Sequence, residues 1–126
     1  MAHFALVRGW IECEFESMPA MRERAAAWAT RGAEYDLSPE QARLYVRGWL
    51  FPEAPLNYVS VVFYGADVRA GALDFVKAMV SDVAGVEPDS AGFFFLDDDD
   101  GEGQSVWRVT GPEVREEARP PQLADT

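Results

Sequence analysis

Two of the side chains that most protein chemistry relies on are almost missing from this chain. It has one cysteine and one histidine in 126 residues. Cys13 has no partner for an internal disulfide. His3 lies near the N-terminus, with no second histidine to complete a relay. No serine stands in a nucleophile-elbow sequence, and no glycine-rich phosphate loop follows a strand pattern. The plentiful carboxylates leave acid–base chemistry open. With no catalytic constellation, metal set or cofactor fingerprint legible, the chain reads as a non-enzyme. No apolar run approaches the roughly 18–20 residues that span a bilayer. Residues Met1 to Cys13 lack the basic start and apolar core of a signal peptide. These absences predict a cytoplasmic protein.

Basic residues are scarce. Eleven Lys and Arg stand against 22 Asp and Glu, a net charge of −11. That balance argues against direct nucleic-acid binding, which needs cations for the phosphates, and against anionic membrane surfaces. It favours a basic partner, because opposite fields speed encounter. Acidity also serves plain solubility, but its distribution is uneven. Residues 1–81 carry 10 acids and 8 bases, a net of −2. Residues 82–126 carry 12 acids and 3 bases, a net of −9. Solubility alone does not require that asymmetry.

What is present is a composition that folds. The chain is 48% hydrophobic and 13% aromatic. Its length suits one domain, read as residues 1–118, with a loose tail over 119–126 that contains Pro120-Pro121. From Phe4 to Glu16 the sequence alternates. Ala5, Val7, Gly9, Ile11, Cys13 and Phe15 fall on one face, and Trp10, Glu12, Glu14 and Glu16 on the other, as in a half-buried strand. Ser17 at an N-cap, Pro19 in the first turn and Gly32 as a stop predict a helix over 18–31, with Met21, Ala25 and Trp28 inward.

Ser38-Pro39-Glu40-Gln41 is a capping-box pattern that opens a short helix to Arg47. A strand over 44–51 competes, and a helical turn followed by the strand is the favoured reading. Pro52 to Pro55 is a turn, and 56–64 reads as a strand. Asp67 opens a second helix over 68–84, with Leu73, Val76, Val80 and Val83 as its core stripe, Gly71 inside it and Gly85 at its end. Two strands follow, 91–96 and 105–110, joined by an acidic turn. Gly111-Pro112 then leads into a short edge strand. The order predicts an α+β domain: a mostly antiparallel sheet with two helices on one face, a ferredoxin-like split βαβ arrangement with an extra C-terminal hairpin strand.

Two surface patterns stand out. Asp97-Asp98-Asp99-Asp100-Gly101-Glu102 suggests a calcium loop. With Gly101 at the sixth position, however, the first ligand falls on Leu96 and the twelfth on Trp107, so the pattern fails at both ends. The second is the helix-free face of the sheet. Trp10, Glu12, Glu14 and Glu16 share it, and Tyr45, Arg47 and Trp49 join it if 44–51 is a strand, with Tyr58 and Tyr64 beside them. Aromatics next to charges resemble an interface core with a polar rim.

Several segments together resemble a family of bacterial immunity proteins from polymorphic toxin systems. They are Gly9-Trp10, Leu73-Asp74-Phe75-Val76, the run Ala91-Gly92-Phe93-Phe94-Phe95-Leu96, the acids Asp97 to Asp100, and Val106-Trp107-Arg108. That family pairs a glycine-bearing aromatic strand with an acidic turn and then a strand containing Val-Trp. Asp99 stands where the family often has Glu. The stretch Tyr64 to Arg69 keeps a Gly and an Arg but lacks the Asn and His that many members carry there. The resemblance implies stoichiometric binding of a cognate toxin domain, such as a basic nuclease. The residues expected to make contact are Asp97, Asp98, Asp99, Asp100 and Glu102 of the acidic turn, with Trp10, Glu12, Glu14, Glu16 and Trp49 of the sheet face. A homodimer through that face is the other use of it. A reading from another class is a small ferredoxin-like oxygenase or ligand-binding dimer, with Trp28, Trp107 and Phe93 to Phe95 lining an aromatic pocket.

Overall fold

Alternation at the start of the chain builds the strand around which the rest assembles. In the computed structural model, which describes residues 3–55, 59–98 and 104–118, β1 (Phe4–Cys13) pairs antiparallel on both sides. One neighbour is β3 (Ser60–Arg69), in register Gly9 with Tyr64. The other is β4 (Ala91–Asp98), in register Gly9 with Phe94. The two-residue β2 (Trp49–Leu50) borders β3. β5 (Gln104–Thr110) and β6 (Glu113–Ala118) extend the sheet beyond β4, giving the order β2-β3-β1-β4-β5-β6. The first four strands have the 2-3-1-4 order of a split βαβ unit, and the hairpin β5–β6 is the C-terminal addition.

Between β1 and β2 lie α1 (Met18–Ala27) and α2 (Pro39–Val46), and α3 (Leu73–Ala84) precedes β4. Ser38 Oγ accepts from the Gln41 N–H, and Gln41 Oε1 accepts from the Ser38 N–H, so the capping box forms in full. Ser17 occupies the N-cap of α1 but its hydroxyl does not cap it. It donates to Glu87 Oε1 at 2.7 Å, and the Glu14 backbone N–H donates to the same oxygen at 2.8 Å. That carboxylate ties the exit of β1 to the loop after α3.

Three element boundaries differ from the sequence reading. α1 ends at Ala27, and the chain continues in 3₁₀ turns at Trp28–Thr30 and Gly32–Tyr35. The strand alternative over 44–51 does not form, because α2 holds Leu44 to Val46 and leaves β2 two residues. Asp67 does not open a helix. β3 runs on to Arg69 because each residue from Ser60 to Arg69 finds a partner on β1, down to Arg69 opposite Phe4. Gly71 therefore lies in a 3₁₀ turn ahead of α3.

The core lies between the helices and one face of the sheet. Val7 and Ile11 of β1, Val62 and Tyr64 of β3, Phe94 of β4 and Trp107 and Val109 of β5 pack in one cluster with Met21, Ala25, Tyr45, Phe75, Val76, Met79, Val80 and Val83. Several polar atoms carried into it have partners, whereas the buried Trp49 Nε1 has none among the described residues. Trp28 Nε1 donates to Asp82 Oδ2 at 2.8 Å, linking the 3₁₀ turn after α1 to α3. Trp107 Nε1 donates to Glu116 Oε1, and Tyr64 Oη donates to the Tyr45 carbonyl. Burial beside Tyr45 raises the Tyr64 pKa. Glycine is required where β1 and β4 approach. A Cβ on Gly9 would collide with the Phe93 carbonyl oxygen, and one on Gly92 with that of Trp10.

Candidate interaction face

Strand alternation that sends Val7, Ile11, Phe94 and Trp107 inward sends the intervening residues to the side on which none of the described helices lies. β1 contributes Leu6, Arg8, Trp10 and Glu12. β3 contributes Val61, Phe63 and Asp67, β4 contributes Phe93, Phe95 and Asp97, and β5 contributes Arg108. The register sets Trp10 between Phe63 and Phe93 across neighbouring strands. Leu6 is 44% exposed and Phe63 38%. Trp10, Phe93 and Phe95 are half-buried, whereas Trp28, Trp49 and Trp107 are buried.

The half-buried rings form a stack. The Trp10 centroid lies 6.3 Å from Phe93 and 6.2 Å from Phe95, and the two phenylalanines are 5.9 Å apart. Two arginines of the chain sit on it. The Arg108 guanidinium carbon is 4.6 Å from the Phe93 centroid, with Nε 3.0 Å from Glu117. The Arg8 carbon is 5.9 Å from the Phe95 centroid, with Nη1 2.7 Å from Asp97. Each is a guanidinium over a ring face, held at its edge by a carboxylate.

At one end of the stack is a shallow depression of about 290 Å³, lined by Trp10, Glu12, Gly92, Phe93, Arg108 and Thr110 among others. A smaller one of about 160 Å³ adjoins it through Glu12 and is lined by Glu14, Glu87 and Asp89. Cys13 borders this acidic end. Burial first, then the charges of Glu87 and Glu14, push its thiol up to about 11, so it stays protonated at neutral pH.

The expected contact residues separate. Trp10 and Glu12 lie on the open face, as alternation requires. Glu14 and Glu16 do not share it, because β1 ends at Cys13 and the chain turns into a 3₁₀ segment at Phe15–Ser17. Both are exposed. Trp49 is 9% exposed on the helix side of the sheet, with its ring centroid 4.9 Å from Tyr64 and 5.9 Å from Phe51. Tyr45 and Tyr64 are likewise core residues, not face residues. Asp97 and Asp98 belong to β4 and not to a hairpin tip. Asp97 pairs with Arg8 on the open face, and Asp98 lies opposite Ala5. Asp99, Asp100, Glu102 and Tyr58 lie outside the described residues.

Leu6, Arg8, Phe63 and Arg108 were not expected on this face. The same period-two count that placed Trp10 also places Leu6 and Arg8, and extended along β3 and β5 it places Phe63 and Arg108. The rings proposed to line one pocket are divided by the sheet. Trp28, Phe94 and Trp107 are in the core, and Phe93 and Phe95 are on the opposite side.

Among the described residues no group of three or more His, Cys, Asp or Glu is arranged to hold a metal ion, and no helix is long and apolar enough to cross a membrane. No protein-family model, curated protein or solved structure matches the chain.

Proposed function

We propose that this protein is a stoichiometric inhibitor of the immunity type, docking its helix-free sheet face onto a basic toxin domain. The observation that carries the reading is the face itself. Leu6, Trp10, Phe63, Phe93 and Phe95 form an apolar tract rimmed by Arg8, Glu12, Asp67, Asp97 and Arg108. An aromatic centre with a charged rim is the composition of a protein-binding surface. A specific complex buries roughly 800 Å² on each partner, which a broad sheet face can supply and a single acidic turn cannot. The charge of −11 selects a basic partner and accelerates encounter in a salt-dependent way.

The test starts from the tagged chain in lysate of its own organism. It is expected to retain a basic toxin domain at near-equal stoichiometry in low salt, to release it as salt rises, and to suppress that domain's activity when the two are mixed one to one. Phe63→Ser and Phe93→Ser, both away from the core, should abolish inhibition while thermal unfolding stays cooperative. Inhibition unchanged by both substitutions would remove the sheet face from the reading. Captured proteins that keep full activity in the complex would remove the immunity role.

A further inference from the structure

The stack on the open face repeats one device. Phe93 carries Arg108 with Glu117 beside it, and Phe95 carries Arg8 with Asp97 beside it. Trp10 is the third ring of the stack, and it too has a carboxylate next to it, since Glu12 lies two residues along β1 and projects to the same side. Among the described residues no arginine or lysine lies over Trp10, and Glu12 forms no ion pair. We infer that Trp10 and Glu12 form a clamp for an arginine side chain of the partner protein, which would complete the series as its third guanidinium.

Three further features fit that occupant. Space is present, because the depression of about 290 Å³ opens between Trp10, Glu12, Phe93 and Thr110. It is kept clear by a small residue, for Glu12 lies opposite Ala91. The field has the right sign. Glu12 also borders the depression that holds Glu14, Glu87 and Asp89 and, among the described residues, is lined by no basic one. Arg108, on the far wall, has its charge balanced by Glu117. Indole is the strongest of the aromatic faces for a cation, and a planar guanidinium can stack on it while donating to a carboxylate at its edge.

The inference rests on the open face being a protein-binding surface, but its test needs no toxin. The full chain, labelled with ¹⁵N, is titrated at low ionic strength with acetyl-Gly-Arg-Gly-amide and, separately, with acetyl-Gly-Glu-Gly-amide. The four indole N–H signals serve as site and controls. The arginine peptide is expected to move the Trp10 indole and the Glu12 and Phe93 amides, leaving Trp28, Trp49 and Trp107 in place, and the glutamate peptide to move none of them. Glu12→Gln should weaken arginine-peptide binding by about threefold or more, and Glu23→Gln, at an exposed position of α1, should leave it unchanged. A still Trp10 signal, equal responses to the two peptides, or equal losses in the two variants would each overturn the clamp. A working clamp in a chain that inhibits no toxin would keep this inference and remove the immunity reading. Inhibition that survives with a silent clamp would do the reverse.

Discussion

Asp82 carries two interactions of different depth, and substituting it separates them. Its Oδ2 accepts from the indole of Trp28, which is 3% exposed, at 2.8 Å. Its Oδ1 faces Arg24 Nη1 at 2.9 Å, with the arginine side chain 52% exposed. Asp82→Ala leaves a buried indole N–H without an acceptor, which costs about 1–3 kcal/mol. The exposed ion pair contributes about 0–0.5 kcal/mol. We therefore expect a total near 2 kcal/mol for Asp82→Ala, and for Arg24→Ala no more than about 0.5 kcal/mol. Asp82→Asn keeps an oxygen for the indole and should fall between them. For a chain of this size the alanine variant should lower Tm by roughly 8 °C. Urea titrations monitored by far-ultraviolet circular dichroism, with unchanged slope, measure all three values. Equal losses for Arg24→Ala and Asp82→Ala would refute the reasoning, because the exposed pair and not the buried indole would then carry the energy.

The other predictions concern strand contact, capping and pH. Gly9→Ala puts a Cβ against the Phe93 backbone, so it should cost more than about 3 kcal/mol or prevent folding; a variant with wild-type stability would show that β1 and β4 can separate freely. Ser38→Ala removes the α2 cap and should cost about 1 kcal/mol in urea denaturation, and no loss would mean the capping box is idle. The Cys13 thiol is raised from an ordinary value near 9 to about 11. Its neutral form is favoured in the fold, so the associated stability is full below pH 9 and lost as pH rises through 11. Urea midpoints between pH 8 and pH 11 should therefore fall more steeply for the wild type than for Cys13→Ala, and parallel curves would contradict that linkage.

Local rules were readable where one periodicity acts alone. β1 alternates cleanly, so spacing alone places Trp10 and Glu12 on the open side. The capping box at Ser38 and the Val76, Val80, Val83 stripe of α3 likewise follow from spacing. The errors fall where neighbouring elements decide. Gly65-Ala66-Asp67 has the chemistry of a turn and an N-cap, yet pairing with β1 carries the strand through it. Trp49 sits where a helix gives way to a very short strand, and moving that boundary changes which face a residue occupies. Tyr45 went with it, since on α2 it points into the core. Nothing in the spacing of Ser17 reveals that a carboxylate 70 residues away would claim its hydroxyl; only the folded corner brings Glu87 there.

The uneven burial of the four tryptophans makes the protein its own optical probe. Three indoles are enclosed and one looks out from the middle of the sheet face. A water-borne quencher therefore samples chiefly Trp10, and emission protected from it belongs to the core. Any molecule that settles on the face should shield that indole and leave the other three unchanged. Occupancy of the surface and integrity of the fold can thus be followed separately in one unlabelled sample.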